Sequence, residues 1–188
     1  MRRPLVFALL GAVLAQTGDG FAAEAAKPPE LVRRAFLGGR VSVLVPRSFR
    51  VLSAAEIRRS YPRGNQPDAV IVDRTPLFDI AIKHTALPMK LGGLSGFLDR
   101  LRKGLTKPGS KVRIIRLTMA EWAGRPFMLA FLERPNPARV GARRMDNYTV
   151  GTVLDGRLLL IGFNSGIEKR AAWAAARDRM IRSIRVRE

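Results

Sequence analysis

The stretch over residues 147–186 constrains the fold more than any other part of the chain. Two runs rich in sheet-forming residues, 148–154 and 157–163, are separated only by Asp155-Gly156, a dipeptide that suits the two-residue turn of a β-hairpin. In the second run Leu159, Ile161 and Phe163 share one face while Leu158 and Leu160 take the other, so that strand is expected to be covered on both sides and central in its sheet. Asn164-Ser165-Gly166 interrupts the run. Ser165 and Glu168, three residues apart, predict a capping box that opens a helix. Trp173, Ala176, Met180 and Ile184 then recur at helical spacing with Ile181 beside them. Arg177, Asp178, Arg179 and Arg182 fill a face expected to be wet.

The chain has 188 residues, enough for one domain with an adequate core of its own. It contains no cysteine, which rules out disulfides, thiolate catalysis, thiolate metal sites and a lipoprotein acylation signal. At the N-terminus, Arg2 and Arg3 precede a short apolar segment over residues 4–15 and then small residues. That order predicts a signal peptide over residues 1–25, cleaved after Gly20-Phe21-Ala22 or Ala23-Glu24-Ala25, and hence a periplasmic or secreted protein. Residues 26–35, with Pro28-Pro29, are expected to be a flexible lead-in to a single domain over 36–188.

In order along the chain, residues 36–45 predict a Val-rich strand ended by Pro46, and Ser53 with Glu56 a capping box starting a short helix that stops before Pro62. Strands follow over 69–72 and 77–85, turning at Thr75-Pro76. Leu94, Phe97, Leu98, Leu101 and Leu105 mark one face of a middle helix. A second hairpin spans 111–122 and 126–133, with Ile115, Leu117 and Met119 in its first arm and Phe127, Leu129 and Phe131 in its second facing a core. The whole predicts an α+β fold, a mostly antiparallel sheet of about six or seven strands sandwiched by helices. Without alternating βαβ units, a doubly wound nucleotide fold is not expected.

The Val45-Pro46-Arg47-Ser48-Phe49 strand end, the middle helix, the run from Asp155-Gly156 through Gly162-Phe163 and the Trp-containing last helix with Ile181-Arg182-Ser183-Ile184 together resemble the PsbP-like superfamily. DcrB-type bacterial periplasmic proteins are the members the pattern looks most like, over about residues 36–186. The resemblance implies a three-layer α/β/α sandwich and a non-enzymatic binding or accessory role. Similar domains act as adaptor chaperones for type VI secretion effectors, a cytoplasmic role from which the expected signal peptide departs. No ligand-binding residue carries over, because no short functional motif matches.

No catalytic, cofactor-binding or metal-binding motif is present. His84 is the single histidine, and neither nucleophile nor metal-ligand spacing accompanies it; a structural histidine is the expectation, and a hydrolase centred on it the least favoured alternative. Gly93-Leu94-Ser95-Gly96 lacks the second glycine of a nucleophile elbow, so Ser95 is expected to cap the middle helix. Asn147-Tyr148-Thr149 matches a glycosylation sequon, for which chance is the better account in a strand. Trp173 is expected in the core, and Trp122, at a hairpin tip, is the freer tryptophan.

Charge is the remaining signal. The chain carries net +19, and residues 1–25 hold two cations and two acids, so the excess belongs to the expected mature domain. Two groups stand out: Arg100, Arg102, Lys103, Lys107, Lys111 and Arg113 around the middle helix and its exit, and Arg134, Arg139, Arg143 and Arg144 in a polar loop over 134–144. They form the candidate surface for a protein partner or an anionic envelope component. A peripheral binder of anionic lipid or polysaccharide is the first alternative. Nucleic acid is not expected, because export removes the protein from it and no nucleic-acid-binding motif appears.

Overall fold

The computed structural model describes residues 29–61, 66–74, 78–135 and 144–188. The expected signal peptide, the Thr75-Pro76 turn, Arg139 and Arg143 lie outside the described residues. A hairpin of β1 (Leu31–Phe36) and β2 (Val41–Pro46) leads through β3 (Arg50–Val51) into α1 (Ala54–Ser60). Then come β4 (Ala69–Val72), β5 (Phe78–Pro88), α2 (Leu94–Leu105), β6 (Arg113–Trp122), β7 (Arg125–Pro135), β8 (Arg144–Leu154), β9 (Arg157–Gly166), α3 (Arg170–Arg182) and β10 (Arg185–Val186). Seven strands pair antiparallel in the order β3-β4-β5-β9-β8-β7-β6, and β1-β2-β10 form a separate small sheet.

The alternation in β9 sets the layers. Leu159, Ile161 and Phe163 join Ile80, Ile82 and Val150 in a core completed by Val41, Val43 and Val45 of the small sheet and by Met180 and Ile184. Leu158 and Leu160 face the other way, onto Leu94, Phe97 and Leu98 of α2, with Met128 and Val153. Beside α2 on that second face, Ile57 and Tyr61 of the α1 region pack on Val70 and Ala81. Each fully buried aliphatic side chain contributes about 2 kcal/mol, so β9 is the middle of the structure on both faces. Its hairpin with β8 turns on Asp155 (φ 48°) and Gly156 (φ 67°), the left-handed pair that a type I′ turn requires. The capping box at Ser53 and Glu56 is present.

Several expectations are corrected. Residues 31–35 are not a lead-in: β1 occupies them and pairs with β2 along its length. The single strand over 36–45 is broken by a turn with positive φ at Leu37, Gly38 and Gly39. Ser165 caps nothing, because its backbone stays in β9, paired with Phe78 and Asp146; strand pairing outcompetes the local cap. The chain then passes through a 3-10 turn, Ile167–Lys169, before α3. Ser95 makes no cap either, since a 3-10 turn at Leu91–Gly93 precedes α2.

In β6 a register shift between Ile114 and Arg116 interrupts the alternation. Ile115 and Met119 are exposed, and only Leu117 of that trio packs, against the α2 core. Trp122 is tied down rather than free. Its ring stacks on Phe127 at 3.8 Å and its Nε1 donates to the Ile184 carbonyl at 3.3 Å. Trp173 is half-buried and packs against Phe49 and Phe78.

Candidate functional site

Glu133 and Asp146 are direct cross-strand partners on β7 and β8, and both are buried. Two carboxylates facing each other across a ladder repel, so a cation has to lie between them. Arg170, the first residue of α3, does this: its Nε and Nη2 donate to Asp146 at 2.8 and 2.5 Å, and Nη2 also donates to Glu133 Oε2 at 3.1 Å. Asp146 and Glu133 together raise the Arg170 pKa, with the Asp146 hydrogen bond the largest cause. Burial would lift the Glu133 carboxyl, and hydrogen bonds from Arg170 and Arg144 reverse that and hold it below its ordinary value.

Members of both sequence-identified groups meet here. Arg144 forms an ion pair with Glu133 and donates to the Lys111 and Glu133 carbonyls at 3.3 and 3.1 Å. Arg113 approaches Glu133 at 3.8 Å. The exit of α2 and the start of β8 are thereby joined around one buried acid. Lys107, Lys111 and Arg113 are exposed, as are Arg100, Arg102 and Lys103 on α2. Arg100 lies over the Phe97 ring, and Arg102 reaches the Leu117 carbonyl at 3.5 Å. Arg134 is apart from this group: it belongs to β7, and burial lowers its pKa while the neighbouring Asp79 and Tyr61 partly restore it.

Next to the acid pair, Phe131 and Tyr148 stack across β7 and β8 with centroids 3.6 Å apart. The Arg177 guanidinium lies 3.6 Å above the Tyr148 ring, and Arg177 is only 5% exposed. It is therefore not on a wet face as expected; α3 turns it onto the aromatic pair, where π-electrons partly replace lost water. Burial lowers its pKa, and Tyr148 in turn is pushed up to about 12 chiefly by burial. A groove of about 310 Å³ runs alongside, lined by Trp122, Phe131 and Tyr148 with Arg116, Asp178 and Arg182 among its charged residues.

Sequence reasoning missed Glu133, Asp146, Arg170 and Arg116. One signal was available for Glu133: it continues the alternation of Phe127, Leu129 and Phe131, which places a carboxylate on a core-facing position. On the opposite face of the sheet, a second polar set runs across three strands. Thr149 Oγ1 donates to Asn147 at 2.9 Å, Asn147 to Asn164, and Asn164 Nδ2 to Asp79 at 2.7 Å. All four are buried, and burial pushes the Asp79 carboxyl up to about 6 against the Asn164 hydrogen bond and the Arg134 charge.

His84 is held structurally. Its Nε2 contacts the Leu154 carbonyl at 2.8 Å and its Nδ1 faces Arg157 at 3.4 Å, so among the described residues its ring hydrogen bonds to no carboxylate or nucleophile. Among the described residues, no group of three or more acids or histidines could hold a metal ion. Among them, too, no helix is long and apolar enough to cross a membrane.

No protein-family model matches the chain, and no curated protein matches its sequence. Solved structures do. Cyanobacterial PsbP (CyanoP) from Synechocystis sp. PCC 6803 aligns with a TM-score of 0.60 at 13% identity, over 89% of this chain and 98% of its own. The Saccharomyces cerevisiae Ran-binding protein Mog1p aligns at 0.50 and 13% identity, over 84% and 96%. LpqN of Mycobacterium tuberculosis, described as involved in cell envelope biogenesis, aligns at 0.50 and 12%, over 85% and 91%. At such identities the likeness is one of fold. A seven-stranded antiparallel sheet with α1 and α2 on one face, and α3 with a small sheet on the other, matched over nearly all of CyanoP, is the PsbP-like fold, and this chain has it.

Proposed function

We propose that this is an exported, non-catalytic accessory protein of the cell envelope that recognises an acidic partner through the basic end of its large sheet. The observation that carries the reading is the pairing of Arg113 and Arg144 with buried Glu133, next to exposed Lys111, whose backbone carbonyl accepts from Arg144, with exposed Arg116 and Arg102 on the neighbouring β6 and α2. Glu133 and Asp146 hold Arg113, Arg144 and Arg170, three cations to two acids, and with Lys111, Arg116 and Arg102 nearby such a patch raises local anion concentration and steers association. The leader-like N-terminus and the fold shared with an envelope-biogenesis protein support the location. The bonding of His84 to a carbonyl and an arginine supports a binding role over a hydrolytic one.

The test is equilibrium binding of poly-L-glutamate across a salt series. Arg102, Lys111 and Arg116 are changed together to Glu, leaving Arg113 and Arg144 to hold Glu133. A control protein carries Arg58→Glu, Arg59→Glu and Lys90→Glu, the same charge change at residues outside the cations named above. Binding should weaken steeply with salt, and the first variant should lose at least about tenfold more affinity than the control. Equal losses in the two variants would mean that only total charge matters and would overturn the reading.

A further inference from the structure

The large sheet ends on one side in two-residue β3 and on the other in β6, a ten-residue strand with no neighbour on its outer side among the described residues. An edge of that length is a template for another strand unless something guards or fills it. Residues of one parity turn both backbone groups to the same side of a strand. The Leu117 and Met119 carbonyls each accept a side-chain hydrogen bond, from Arg102 Nη2 at 3.5 Å and from the adjacent Thr118 Oγ1 at 3.2 Å. Both are long contacts that a backbone N–H in line with the carbonyl would replace with a shorter bond.

We propose that β6 receives an extended acidic segment of a partner polypeptide, added antiparallel or parallel as an eighth strand beside Leu117, Met119 and Glu121. The proposal deepens the function given above and rests on it. Charge selects the occupant: Arg113 and Arg116 project from the strand, Lys111 precedes it, and Arg102 and Lys103 flank it from α2, against a single acid, Glu121, within β6. A second copy of this chain would bring the same cations to face themselves, so the guard that blocks self-pairing favours an acidic strand. Met119, 37% exposed, offers an apolar contact to such a segment within the paired stretch, and equally exposed Ile115 lies just before it. The register shift between Ile114 and Arg116 bends the strand and confines pairing to residues 116–122.

The test uses the full protein and an end-blocked octapeptide of alternating Glu and Val, followed by amide NMR and by titration. A second peptide of the same sequence is N-methylated at its four central amides, which keeps the charge and removes the N–H donors that the Leu117 and Met119 carbonyls would accept from. The unmodified peptide should shift the Leu117, Met119 and Glu121 amides and slow their hydrogen exchange, and methylation should weaken binding by roughly tenfold or more. Met119→Pro, a substitution that a solvent-facing edge position accommodates, should have a similar effect; if that variant does not fold, the peptide pair decides.

Equal binding of both peptides, or shifts confined to α2, would overturn strand pairing and leave charge recognition standing. Failure of both peptides to bind at low salt would overturn both. Binding of anionic lipid vesicles or of heparin in place of either peptide would assign the surface to a lipid or a glycan and overturn the strand proposal.

Discussion

Replacing Asp79 by asparagine should stabilise the protein at neutral pH and leave it nearly unchanged in acid. In the folded chain this carboxyl is buried and titrates at about 6, against an ordinary value of 3.8. Its folded pKa is raised, so between these values the native state holds a proton that the unfolded chain has released, and stability falls as pH rises. A gap of about two pH units at about 1.4 kcal/mol each gives a penalty of about 3 kcal/mol, complete above about pH 6 and absent below about pH 4. The asparagine amide would mimic the protonated acid and could still accept the hydrogen bond from Asn164 Nδ2. Urea unfolding across a pH series from about 4 to about 7 measures the difference directly. D79N should gain relative to the parent by about 3 kcal/mol over that range. If the difference instead moves toward destabilisation as pH rises, Asp79 is ionised and favourably paired with Arg134, and the reasoning fails.

Other substitutions test separate links. Arg170→Ala leaves Glu133 and Asp146 facing each other, and urea unfolding should show a loss of about 2–3 kcal/mol, below the full cost of breaking a buried pair because Arg170 is partly exposed. Arg177→Met keeps the bulk over Tyr148 without the desolvated charge and should lie within about 1 kcal/mol of the parent, whereas Arg177→Ala should cost about 2 kcal/mol; thermal melts of both separate packing from charge. Ala123, at φ 53° in the β6–β7 turn, is strained there, and Ala123→Asn should add about 0.5–1 kcal/mol to the unfolding free energy.

What could be read from the sequence was what is local in the chain. Asp155-Gly156, the Ser53 and Glu56 box, and the two-sided apolar pattern of β9 carry their structural meaning within a few residues, and each is present. Ser165 and Glu168 carried the same local signal as Ser53 and Glu56, yet Ser165 stays in a ladder between β5 and β8. Local propensity lost there to pairing with strands distant in sequence. Arg177 looked solvated because helical spacing reveals a face and not its neighbour; the stacked Phe131 and Tyr148 come from β7 and β8. The candidate surface was legible as two separate basic groups. Their meeting depended on Glu133, brought opposite Asp146 by a register that no short window contains.

The claim that matters most is where an acidic partner lands. Amide and arginine side-chain NMR of the intact protein, titrated with a glutamate decamer at low salt, answers it. Shifts should concentrate at Lys111, Arg113, Arg116 and Arg144 and leave Arg58 and Arg59 of α1 unmoved. Perturbations spread evenly over the arginines of the whole surface, or centred on α1, would contradict a dedicated site and reduce the net charge to a solvated coat.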